Sequence, residues 1–161
     1  MNKAFIREPD ADARVTCPVC GSLGIEVGSG PLETHIAPVH RSRMGDAAWC
    51  CGNEFCRVVY FNIFEQTVTI DQLQKPVYPY DLNSPICPCF GLTWDDVDQD
   101  SRESIPVRIR ELIAKSKTAE ARCASLAVDG QCCVKEVQRL YFRLRSGLSF
   151  TQFLNAYQSP S

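Results

Sequence analysis

The chain has 161 residues, enough for one ordinary domain or for two small ones each held by a metal, and ten of those residues are cysteine. Its formal net charge is −2 and the arginines of its C-terminal half are interleaved with acids, so it lacks the basic footprint of a nucleic-acid binder. The first ten residues carry no apolar signal-peptide core and no window approaches about eighteen uninterrupted apolar residues, which argues against secretion, membrane insertion and a disulfide framework; a cytoplasmic protein with reduced or metal-bound thiols is expected.

Residues 1–14 are polar, contain Pro9 and show no periodicity, so they read as a loose arm. A first module is expected over residues 15–82. Cys17-Pro18-Val19-Cys20-Gly21 is a zinc-knuckle signature, in which the bend brings both sulfurs to one ion and the glycine accepts an unusual backbone conformation. Its partner is the C-x4-C pair Cys51 and Cys56. Together the pairs supply a closed tetrahedral set of four thiolates, the usual arrangement of structural zinc.

Between the pairs, Leu32, His35, Ile36 and Val39 can form one face of a short helix. His35 and His40, the chain's only histidines, read as surface or loop residues rather than ligands, since four cysteines already fill the site. Cys50 reads as a small, partly buried residue. Residues 57–64 are rich in β-branched and aromatic side chains and residues 67–70 follow a short polar turn, which predicts a hairpin. The core of such a zinc-held β unit would be thin without its metal.

Residues 71–85 contain Pro76, Pro79 and Pro85 and read as a stiffened connector, with Tyr78 and Tyr80 covering a neighbour; its prolines suggest two independent modules. A helical domain is expected over residues 83–146. Cys87 and Cys89 lie one residue apart just before a helix signal, because Thr93 with Asp96 makes a capping box and starts a helix near Trp94. The positive end of that helix would face the Cys87-Pro88-Cys89 loop, a place suited to an anionic iron–sulfur cluster. The helix is expected to end near Asp100.

Ser104 and Pro106 start another helix with Ile105, Ile109, Leu112 and Ile113 on its face. Residues 121–131 read as a loop carrying Cys123, with Gly130 turning the chain toward Cys132 and Cys133. The helix from Val134 carries Val137, Leu140, Tyr141 and Leu144 and ends near Gly147. A last helix over 147–161, capped by Ser149, would present Phe150, Phe153, Leu154 and Tyr157. The acidic run Asp95, Asp96, Asp98 and Asp100 is explained by the helix dipole, and no acid–base constellation points to a hydrolytic enzyme.

A C-x-C pair, a gap of some thirty residues holding a helix, and a cysteine pair that opens the next helix resemble the bacterioferritin-associated-ferredoxin-like [2Fe–2S] domain. In that family all four ligands sit at or near helix N-termini in a helix–turn–helix scaffold. The resemblance implies Cys87, Cys89 and Cys123 as cofactor ligands, with Cys133 favoured as the fourth because the family's last ligand directly precedes such a helix. Cys132 is the alternative.

Taken together, Cys17 to Gly21, Cys51 through Cys56 into Val58-Val59-Tyr60-Phe61, Ile86 through Thr93, and Cys123 through Val134 resemble the N-terminal region of CopZ-type copper chaperones over roughly residues 15–140. The implied fold is α+β: a small zinc-held β-hairpin, zinc-ribbon-like module followed by a helical [2Fe–2S] helix–turn–helix domain. Carried over by position, zinc falls on Cys17, Cys20, Cys51 and Cys56, and a [2Fe–2S] cluster on Cys87, Cys89, Cys123 and Cys133.

The implied role is one-electron reduction of Cu(II) to Cu(I). Complete chaperones of this type continue into a domain with a Met-x-Cys-x-x-Cys copper loop, which these 161 residues lack, so a separate copper carrier, a copper-exporting ATPase or another redox partner protein is expected. Two alternatives remain: a ferredoxin-like electron-transfer or docking module in iron homeostasis, and a metal-stapled scaffold or redox sensor.

Overall fold

The computed structural model describes residues 15–147; the expected N-terminal arm and the aromatic stripe of the last helix lie outside the described residues. The hairpin expected around residues 57–70 forms one half of a larger antiparallel sheet. Four short strands, β1 (Gly24–Val27), β2 (Ala48–Cys51), β3 (Val58–Phe61) and β4 (Thr67–Thr69), lie side by side in chain order. β2 pairs with β3 through Trp49 opposite Phe61 and Cys50 opposite Tyr60, and all four residues of β3 are buried, as a central strand of β-branched and aromatic residues should be.

Two helices, α1 (Ser29–His35) and α2 (Pro38–Met44), fill the crossing from β1 to β2. Leu32, Ile36 and Met44 pack with Val59, Tyr60 and Val68 into the larger core of this half. The predicted face is met at Leu32, His35 and Ile36, but the chain breaks helix after His35, so Val39 falls on α2 and is exposed. A second, smaller core consists of Cys17, Cys51, Cys56, Val58 and Phe61, with Trp49 stacked on the Phe61 ring at 6.4 Å between centroids. Three of its five members are cysteines, so its cohesion depends on what the sulfurs bind.

After a short 3-10 turn at Ile70–Gln72, the connector runs without regular structure to the second cysteine loop. Three helices then follow where periodicity places them: α3 (Trp94–Arg102), α4 (Val107–Ser116), which opens after Pro106 rather than at the expected Ser104 start, and, after a four-residue turn of helix α5 (Cys123–Leu126), α6 (Val134–Arg145). Thr93 and Asp96 form the expected capping box. Val97, Ile109, Leu112, Val137, Leu140 and Leu144 make the core, closed at one end by Ile86, Cys87, Leu92 and Trp94. Ile105 lies outside α4 and is exposed.

Asp100 has a role beyond the helix dipole. Its carboxylate is fully buried and accepts hydrogen bonds from Arg108 Nη1 at 2.9 Å and the Ile109 amide at 2.8 Å, tying α3 to the first turn of α4.

The segment 121–131, expected as a plain loop, contains α5 and leans on α1 of the first half. Tyr60 donates to the Val128 carbonyl at 2.6 Å, the Thr34 hydroxyl lies 2.8 Å from the Ser125 carbonyl, and His35 Nε2 lies 2.7 Å from the Leu126 carbonyl. The proline-rich connector therefore does not leave the two halves without contact. Among the described residues, no helix is long and apolar enough to cross a membrane.

Candidate metal centres

The first cysteine group is built by a tight loop and a strand end. The Gly21 amide donates to the Cys17 carbonyl at 2.9 Å and the Cys17 amide to the Ser22 carbonyl at 2.8 Å, a bend that requires Gly21 at φ +75°, in the left-handed region. Cys51 ends β2, and a turn closed by Cys56 N–H donating to Asn53 O at 3.1 Å returns Cys56 to the same place. Gly52 is obligatory in that turn, since a Cβ there would lie 2.7 Å from the Leu23 carbonyl oxygen.

The sulfurs of Cys17, Cys20, Cys51 and Cys56 all lie within 4.8 Å of one another, with Cys20 and Cys51 at 3.5 Å. Tetrahedral Zn–S bonds of about 2.3 Å place sulfurs about 3.8 Å apart, so this set fits one zinc ion.

The same bend recurs at the second loop. The Gly91 amide donates to the Cys87 carbonyl at 2.8 Å, the Cys87 amide to the Leu92 carbonyl at 3.2 Å, and Gly91 has φ +77°. Cys17–Gly21 and Cys87–Gly91 are thus one backbone design. They differ in where the second cysteine sits, three residues after the first at Cys20 and two after it at Cys89.

That difference goes with a different grouping of sulfurs. Among the described residues only the first set gathers three or more ligand atoms within 4.8 Å. In the second, Cys89 Sγ lies 3.8 Å from Cys123 Sγ, and the thiols of Cys87 and Cys133 influence each other, with Cys123 and Cys132 close by. Cys87 is buried, Cys89, Cys123 and Cys133 are half-buried, and Cys132 is exposed.

Electrostatics within both groups follow from burial and from the hydrogen bonds that the thiols share. Burial raises the Cys20 thiol, yet bonds from Ser22, Cys51 and Cys56 outweigh it and bring the group down to about 6. Burial holds the Cys51 and Cys56 thiols up. In the second group the hydrogen bond from Cys133 brings Cys87 to about 6, the same bond holds Cys133 well up, and burial with Cys89 pushes Cys123 up to about 12.

One thiol of each group, Cys20 or Cys87, is thus brought down while Cys51 and Cys56, or Cys123 and Cys133, are held up, as expected where thiolates are crowded together. Amides also aim at the sulfurs: Val58 N–H at Cys56 Sγ (3.4 Å) and Arg122 N–H at Cys89 Sγ (3.3 Å). Such bonds stabilise metal-bound thiolates.

Comparison with known proteins follows this geometry. Residues 14–74 match the CopZ zinc binding domain family model. This N-terminal stretch is similar to CopZ-type zinc modules. The N-terminal domain of CopZ from Archaeoglobus fulgidus has a similar fold over 78% of this chain and 97% of its own, at 23% identity and a TM-score of 0.67. No curated protein matches the chain.

His35 and His40 join neither cysteine group. His35 is buried rather than superficial, and its Nε2 is engaged by the Leu126 carbonyl. Cys50 is buried more fully than expected, which pushes its thiol up to about 12, and it stands one residue from the zinc set without entering it. The contact between the zinc module and the Cys123 segment escaped the sequence, because Thr34, His35 and Tyr60 carry no motif that marks a long-range hydrogen bond.

Proposed function

We propose that the chain is a cytoplasmic, zinc- and [2Fe–2S]-containing redox protein of copper or heavy-metal handling. Cys17, Cys20, Cys51 and Cys56 hold the zinc, and Cys87, Cys89, Cys123 and Cys133 hold the cluster. The observation that carries the reading is the gathering of the second cysteine set, with Cys89 Sγ 3.8 Å from Cys123 Sγ, Cys87 buried in the same loop as Cys89 and Cys133 directly before α6, a donor set that would suit a two-iron centre. Support also comes from its setting in a fold like that of the CopZ N-terminal domain.

A [2Fe–2S] centre supplies one-electron chemistry, its potential set by hydrogen bonds to sulfur, charge and exposure. The chain's own part is visible in those terms. Cys87 sits at 1% exposure against the helical core, while Cys89 and Cys123 reach the surface. Cys89 and Cys123 would hold a bound cluster on its exposed side, where a redox partner would meet it. Cu(II) is the proposed substrate and Cu(I), the ion that soft thiolates select, the product, passed to a copper carrier or a copper-exporting ATPase.

The test joins metal analysis to activity. Anaerobically purified protein is expected to contain about one zinc and two irons per chain and, once reduced, to give the paramagnetic resonance of a [2Fe–2S] centre. Freed of excess reductant and mixed with Cu(II) and a Cu(I)-specific chelator, the reduced protein should yield about one Cu(I) per chain as it is reoxidised. Zinc alone at both sites removes the cluster. Equal Cu(I) yield from the Cys87→Ser/Cys89→Ser variant removes the copper reaction and leaves an electron-transfer module for iron homeostasis.

A further inference from the structure

Cys123 stands at the start of α5, a helix of four residues. So short a helix does not hold itself, because nucleation fixes several residues for each hydrogen bond gained. Its own bonds are local: the Ser125 and Leu126 amides return to the Arg122 carbonyl and the Ala127 amide to Cys123.

What anchors the segment comes from the other half of the molecule. Thr34 and His35, in the last turn of α1, meet the Ser125 and Leu126 carbonyls, and Tyr60, in the middle of β3, meets the Val128 carbonyl. Val128 itself packs on the core of the zinc module. The backbones approach so closely at Gly30 that a Cβ there would lie 3.0 Å from the Ala124 carbonyl and 3.0 Å from the Ser125 Cα.

The three side chains also have short paths to the zinc. Tyr60 is paired with Cys50, next to the zinc-site Cys51, and β3 begins two residues after Cys56. Through Leu32 of α1 and Ile36 just after it, this segment packs in the same core as Tyr60.

We propose that Thr34, His35 and Tyr60 of the zinc module are positioning residues for the second cysteine group, holding the carbonyls of Ser125, Leu126 and Val128 so that Cys123 presents its sulfur beside Cys89. This rests on the reading of that group as a cluster site. The zinc module is then a template on which one ligand of the redox centre is placed, and its state is felt at that centre without sharing a ligand with it.

Four variants of the full chain test this: Tyr60→Phe, His35→Ala, His35→Gln and Gly30→Ala. As a control, Asn62→Ala loosens the turn after β3, where Asn62 bonds Gln66 and Met44, and touches nothing in residues 123–128.

Tyr60→Phe and His35→Ala should each speed amide hydrogen exchange in residues 123–130 about fivefold, the factor that one lost hydrogen bond produces. His35→Gln should recover part of the effect, Gly30→Ala should reproduce it, and Asn62→Ala should leave these amides unchanged with zinc retained in all variants. In cluster-loaded protein, the first two substitutions and Gly30→Ala should shift the reduction potential and the visible circular dichroism, and the control should not.

Exchange in residues 123–130 unchanged by Tyr60→Phe and His35→Ala, or a potential moved equally by Asn62→Ala, overturns the proposal. The exchange measurement holds whether or not iron is present. Absence of iron with faster exchange therefore removes the cluster reading alone.

Discussion

Single residues decide how the two centres respond to protons and to sulfur loss. Burial, with the Lys75 charge beside it, holds the His35 imidazole below its usual range against the opposite pull of the Leu126 carbonyl. The folded chain thus prefers the neutral ring, while the unfolded chain takes up a proton near about 6.5. Its contribution is present above that pH and is lost as pH falls through it toward the depressed folded value. Denaturation of zinc-loaded protein should therefore show a stability loss between pH 7 and 5 that is smaller in His35→Gln. An identical pH dependence in the two proteins would remove the buried neutral ring from the account. The proposed cluster ligands are open to an equally direct experiment, since Cys132 is exposed whereas Cys133 is half-buried at the start of α6. With Cys133 half-buried directly before α6 and Cys132 exposed, Cys133→Ser should abolish the visible cluster spectrum and Cys132→Ser should preserve it. The reverse outcome would make Cys132 the fourth ligand.

At the level of elements, the two cysteine loops use one hairpin bend with a left-handed glycine at its end. No atom lies within 4 Å of a Cβ placed on Gly21 or Gly91, so substitution costs backbone strain alone. Gly21→Ala and Gly91→Ala should each lower the stability of metal-loaded protein by about 1–2 kcal/mol, the penalty of left-handed backbone in an L-residue, without changing the metal content. A cost near zero in chemical denaturation would mean the bend relaxes. Both loops were legible in the sequence because cysteine followed by proline and glycine states its own geometry, and α3, α4 and α6 were legible from capping and periodicity. The strands β1 and β2 were not. Four residues each, they become strands by pairing with one another and with β3, a tertiary effect that Gly24, Trp49 and the adjacent cysteines do not announce. The same holds for α5, whose helical turn is fixed by α1 and β3 rather than by its own residues.

For the whole molecule, the decisive question is whether the halves fail together. Proline in the connector suggests that removing the zinc would leave the cluster site standing. Against this, the core around the zinc site consists largely of its cysteines, and the sheet it steadies carries Tyr60. Binding of a structural zinc by thiolates contributes of order 10 kcal/mol to folding, more than a small domain can lose. In Cys56→Ser the sheet should open and the hydrogen bonds from Thr34, His35 and Tyr60 to residues 125–128 should be lost with it. The helical core of α3, α4 and α6 has its own apolar contacts and should persist. Cys56→Ser is therefore expected to retain helical circular dichroism while losing zinc and most of its iron, because Cys123 alone among the four proposed cluster ligands lies on the segment that contacts the zinc module. Retention of full iron content and an unaltered cluster spectrum in zinc-free Cys56→Ser would show that residues 86–146 place Cys123 unaided, and the two halves would then be independent after all.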